Sequence, residues 1–108
     1  MNNEVTPIVV KDSTNCRTME EVRDGVDAID RQIVALLKQR FGYMDAAARI
    51  KPDREAVRDQ ARKDEVQAKV RAEAERLGLP ADRLRAVWEE LMEQSIAYEF
   101  ERYDATRR

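Results

Sequence analysis

From Thr18 onward the apolar positions recur with a helical period. Thr18 followed by Glu21 forms a capping box, in which hydroxyl and carboxylate each satisfy an orphan backbone N–H, so a helix is predicted to start there. The apolar positions that follow are Val22, Val26, Ile29, Ile33 and Leu36, spaced 4, 3, 4 and 3. That is a heptad-like seam. No proline intervenes before Pro52, so the pattern predicts one helix to about Lys51, roughly 50 Å long. A small single-chain core cannot cover a helix of that length. Pro52 and Asp53 break it. A second helix is expected from Asp53 or Glu55 to Leu77, with a weak stripe of Val66, Val70, Ala74 and Leu77, ended by Gly78 as a C′ residue. A third is expected from Ala81 or Asp82 to about Tyr103, with Leu84, Val87, Trp88, Leu91, Ser95, Ile96 and Tyr98 or Glu99 along its stripe. Residues 1–17 show no helical period and read as an extended or disordered arm, with a short strand at Ile8–Val10. The expected fold is all-α: an arm over 1–17, then one helical domain over 18–108 with a very long first helix.

Composition sharpens the problem of covering that seam. The 108 residues are one domain's worth of chain; 43% are hydrophobic, but fourteen of them are alanine, aromatics are 6% and charged residues 39%. A core built from this is thin, and a core shared between chains is the natural remedy. There is no histidine and a single cysteine, Cys16. That excludes His general bases, His-ligated metals, triads with His, an intrachain disulfide and any Cys-based zinc site. Twenty basic residues against twenty-two acidic give a net charge of −2, which offers no pull toward nucleic acid or membrane. No apolar stretch approaches a membrane span and no signal peptide is visible. The expectation is a cytoplasmic protein without metal or cofactor.

The informative feature is the charge that interrupts the stripes. Continuing the first seam by the same spacing leads to Arg40, Tyr43, Ala47 and Ile50, so Arg40 falls on it. Lys51 follows Arg40 by eleven residues, about three turns, which puts both cations on one face roughly 16 Å apart. Counting back from Val70 and Val66 on the second helix gives Lys63, Arg62 and Asp59. On the third, Ser95 and Glu99 are an i,i+4 pair on the face of Leu84, Trp88 and Leu91. Each helix thus turns from apolar to polar on its inward face. Buried charge without a partner costs several kcal/mol, so converging cations call for an anion, and a pocket for a small dicarboxylate inside a helical bundle answers that need. The competing reading is chance: in a chain this charged any stripe meets charges, and Lys and Arg snorkel from the edge of a seam. Arg23 lies about 100° around the helix from Arg40; read by itself it is a solvated partner for Asp27.

The run MEEVRDGVDAIDRQIVALLKQRFGYMDAAARIK, then VRDQARKDEV, then AVWEELMEQSIAYEF, over about residues 18–103, resembles the all-helical AroQ-type chorismate mutases. The first block also resembles isochorismate pyruvate lyase, a close relative. The resemblance implies an intertwined homodimer of three-helix chains whose long first helices share a core. It implies two active sites, each completed by one Arg from the partner, here Arg23. Arg40 resembles the cation that grips a substrate carboxylate, and Lys51 the one that hydrogen-bonds the ether oxygen of the breaking bond. Arg62 resembles the second-helix Arg, Asp59 the carboxylate that holds a substrate hydroxyl, and Ser95 a third-helix hydroxyl beside a carboxylate. Two positions depart from the best-known bacterial pattern. Lys63 stands where that pattern has a Glu contacting the hydroxyl; it stays among the substrate-binding candidates, with the hydroxyl contact itself left to Asp59. Glu99 stands where it has a Gln donating to the ether oxygen. An ionised Glu only accepts, so Glu99 must carry a proton to help, and turnover is expected to rise toward acid pH.

The implied activity is the rearrangement of chorismate to prephenate, with Lys51, Glu99 and Arg40 as its catalytic groups. The alternative is isochorismate pyruvate lyase, giving salicylate and pyruvate. The segment after Lys51 looks more like mutases, while the A-A-x-R-x-K approach to Lys51 is shared with the lyase. A non-catalytic helical dimerisation module is a third reading; it gives no reason for Arg40 and Lys51 to sit on the seam. Nucleic-acid binding is disfavoured, because basic residues are interleaved with acids and no motif is present.

Overall fold

The computed structural model describes residues 10–107, and among them no strand occurs. Three helices follow one another: α1, Met19–Ile50; α2, Gln60–Arg76; and α3, Ala81–Thr106. Short 3-10 turns at Ser13–Asn15 and Arg54–Ala56 precede α1 and α2. The all-α class and the long first helix agree with the sequence pattern. Ile8 and Val9 of the expected strand lie outside the described residues, and Val10 sits in a bend.

The start of α1 is the capping box the sequence predicts. Glu21 N–H donates to Thr18 Oγ1 at 3.1 Å, while Glu21 Oε1 accepts from the N–H groups of Thr18 at 3.2 Å and Arg17 at 2.8 Å. The end of α2 is equally legible. Gly78 adopts φ 71°, Leu79 N–H reaches Ala74 O at 2.8 Å and Gly78 N–H reaches Glu75 O at 3.2 Å. These two bonds make a Schellman motif, whose left-handed residue is cheapest as glycine.

The start of α2 differs from the expectation. Asp53 caps only the 3-10 turn, accepting from Ala56 N–H at 3.0 Å. Asp59 is the N-cap of α2, accepting from Arg62 N–H at 3.0 Å. The delay has a physical reason. Val57 turns into the core, 2% exposed, beside Ala48, Ile96 and Tyr103. A helix running on from Arg54 would also have committed the Val57 carbonyl to the N–H of Ala61. α3 runs three residues beyond its expected end.

The chain forms two compact units, one up to Gly42 and one from Tyr43. In the first, the arm residues Lys11–Cys16 flank the start of α1, and Lys11 Nζ pairs with Glu21 at 2.5 Å. The seam on this part of α1 is open: Val22, Val26, Ile29, Ile33 and Leu36 are 38–52% exposed. In the second unit α2 packs on α3, and Ala48, Val57, Ile96 and Tyr103 form a small core with Phe100 against it. No helix among the described residues is long and apolar enough to cross a membrane.

Candidate functional site

Lys51 immediately follows α1, its N–H bonded to Ala47 O at 2.9 Å. Its side chain turns to α3. Nζ lies 2.7 Å from Glu99 Oε2 and donates to Val57 O at 3.3 Å. Glu99 is 4% exposed. Its Oε2 meets Lys51 as an ion pair outside hydrogen-bond geometry, and no other donor among the described residues satisfies that oxygen. One turn earlier on the same face, Ser95 is also buried, its hydroxyl donating to Leu91 O at 2.7 Å. The sequence pattern therefore brings Lys51, Ser95 and Glu99 to one buried region of the second unit.

The α2 residues are arranged differently. Asp59 is exposed and spends one oxygen on the cap. Arg62 is exposed and pairs with Glu65 at 2.5 Å. Lys63 is buried, as its stripe position predicts, but its ammonium turns to α3, 2.7 Å from both Glu89 and Glu93. Arg58 joins this cluster by a two-pronged bond to Glu93, at 2.9 and 3.1 Å. The Glu89 and Glu93 carboxylates hold Lys63 above the usual lysine range. Arg58 first, then Lys63, pulls Glu93 down to about 2. Two cations against two anions is a balanced cluster, and it leaves Lys63 tied to its own chain.

Arg23, exposed, and Arg40, half-buried, both lie on the part of α1 that belongs to the first unit. In that unit a groove of about 550 Å³ runs between arm residues Val10–Cys16 and the seam residues Val22, Val26 and Ile29. It is an apolar groove on the open seam, and neither Arg23 nor Arg40 of the same unit lines it.

Contacts around Lys51 that the periodicity did not show come from the end of α3. Arg107 donates to Ala48 O and Lys51 O, both at 2.8 Å. Arg54 pairs with Asp104 at 2.9 Å. Asp45 accepts from the Tyr98 hydroxyl at 2.7 Å, which raises the Tyr98 pKa, and pairs with Arg102 at 3.2 Å. These are guanidinium-to-backbone, helix-to-turn and polar helix-to-helix contacts, which hydrophobic spacing does not encode. Among the described residues no group of three His, Cys, Asp or Glu side chains stands ready to hold a metal ion.

Residues 22–100 match the family described as chorismate mutase type II. The chain belongs to that family. The match begins with the seam of α1 and ends just past Glu99, so it contains Lys51, Ser95 and Glu99 together with every α2 residue considered above. It supports chorismate mutase-type chemistry at the level of the family. No curated protein matches the chain.

Proposed function

We propose that this chain is a chorismate mutase, converting chorismate to prephenate, and that it works as a homodimer. The observation that carries the reading is the pair Lys51–Glu99: a cation and a buried carboxyl group 2.7 Å apart, from two helices, with Ser95 one turn away. The reaction is a pericyclic rearrangement that needs no nucleophile, so catalysis consists of positioning and electrostatics. Arg40, Arg62 and the partner-donated Arg23 hold the substrate carboxylates and select the compact reactive conformer. Lys51 donates to the ether oxygen as negative charge develops on it, and Glu99 is the second group at that atom, a donor to it only in its protonated form. Asp59 takes the substrate hydroxyl with the oxygen its cap leaves over. Dimerisation is supported by the open seam of α1, whose five apolar side chains are 38–52% exposed. A helix in water does not keep such a stripe uncovered without cause.

The test is product analysis. The purified protein is incubated separately with chorismate and with isochorismate, and the products are separated by chromatography. Prephenate with little salicylate is the expected result. Salicylate and pyruvate formed from isochorismate at the higher efficiency make the protein a lyase with a mutase side activity. Turnover of neither substrate removes the catalytic reading and favours a dimerisation module.

A further inference from the structure

We propose that Arg107 is a positioning residue for Lys51, an inference that rests on the mutase reading for its kinetic consequences. The argument begins with Pro52. In a continuing helix the Ala48 carbonyl accepts the N–H of residue 52, and proline has none. With Arg107 over it Ala48 is 0% exposed, and a buried carbonyl left without a donor is costly. Arg107 supplies the donor: one guanidinium nitrogen reaches Ala48 O and the other Lys51 O, both at 2.8 Å. The charge also complements the negative end of the α1 dipole.

The guanidinium is itself held in place. It stacks 3.9 Å above the ring of Tyr103, a member of the core, and one nitrogen also donates to the Thr106 hydroxyl at 2.9 Å. Two further contacts from the same end of α3 grip the segments on either side of Lys51. Arg102 pairs with Asp45 in α1, and Asp104 pairs with Arg54 in the following turn; Arg54 in turn lies 4.5 Å over Phe100. Arg102, Asp104 and Arg107 all fall beyond residue 100, where the family match ends.

The main chain of Lys51 is therefore fixed from both sides, its N–H by Ala47 and its carbonyl by Arg107. Its ammonium then has to span only its own side chain to reach Val57 O and Glu99. Without Arg107 the Ala48 and Lys51 carbonyls turn to seek water, and the stem of Lys51 turns with them. A small displacement of a group that donates to a reacting atom costs rate rather than ground-state affinity.

The experiment compares the parent with Arg107→Ala and Arg107→Lys, by steady-state kinetics on chorismate and by the ε-methylene NMR signal of Lys51 in protein carrying ¹³C-lysine. The chain has five lysines, and Lys51→Ala assigns the signal. For Arg107→Ala we expect kcat to fall about 10- to 100-fold with KM changed by less than about threefold, and the Lys51 signal to move. Arg107→Lys, with one donor centre for two carbonyls, should lie in between. A kcat within about twofold of the parent's, or an unmoved Lys51 signal, overturns the proposal. If the parent itself leaves chorismate unchanged, the mutase reading has failed, and the Lys51 signal alone decides the clamp: moved supports it, unmoved overturns it.

Discussion

At the scale of single residues, Lys51 and Lys63 separate two uses of an ammonium turned toward α3. Lys51 faces one buried carboxyl group and a backbone carbonyl; Lys63 faces two carboxylates of α3. In the proposed mechanism Lys51→Ala removes a donor to the developing charge, and kcat is expected to fall on the order of 10²–10³-fold; near-normal turnover in that variant takes Lys51 out of the reaction. Lys63→Ala should instead leave Glu89 without its cation and Glu93 with Arg58 alone. The melting temperature is expected to fall while KM stays close to the parent's, and a large rise in KM at unchanged stability would return Lys63 to the substrate. Glu93 adds a pH signature. Its carboxyl is held down to about 2 by Arg58 and Lys63, against an unfolded value near 4.3. The stabilisation is thus complete above the unfolded value and is lost as pH falls through about 2. Acid titration of stability should be shallower in Glu93→Gln over that window, and identical curves would show the cluster to be idle. The burial of Lys63, Ser95 and Glu99 was legible in the sequence because stripe position reports burial. The partner of Lys63 was not, because periodicity says which face a side chain occupies and nothing about which acid on the next helix will meet it.

At the scale of elements, the caps carried most of the readable information. Thr18 with Glu21 and Gly78 with Leu79 set their helix ends where local chemistry alone puts them. The start of α2 was ambiguous for the same reason: Asp53 and Asp59 are both competent N-caps, and both are used. What chose between a turn and a helix was tertiary, the burial of Val57 with Ala48, Ile96 and Tyr103. That choice also frees the Val57 carbonyl for Lys51. Asp59→Ala should therefore lower stability by about 1 kcal/mol, with most of it retained in Asp59→Asn. Denaturant titration of the two variants beside the parent measures the difference. Equal loss in both would mean that charge at this position matters rather than the cap.

At the scale of the whole molecule, the sequence posed a question that one chain leaves open. The heptad-like seam, the alanine-rich composition and the length of α1 all point to a core completed from outside, and Ile29 and Ile33 remain 44% and 47% exposed. If a second copy covers that seam, Ile29→Lys with Ile33→Lys should convert a dimer to a monomer in light scattering. It should also lower both thermal stability and turnover. The same arrangement makes a sharper claim about Arg23, which the resemblance assigns to the partner's site. In a homodimer built on a two-fold axis, an Arg23→Ala chain keeps its own Lys51 and needs only the arginine of its neighbour. A Lys51→Ala chain keeps an arginine to give. Each variant alone should be nearly inactive. After unfolding and refolding together in equal amounts, half of the dimers are mixed and each mixed dimer holds one complete site, so about a quarter of the parental activity should return. Recovery near that level requires that Arg23 act across the dimer. No recovery, with mixed dimers demonstrated by a mass tag on one chain, would mean that Arg23 serves its own chain's site or none, and the shared active site would have to be abandoned even if the shared core is kept.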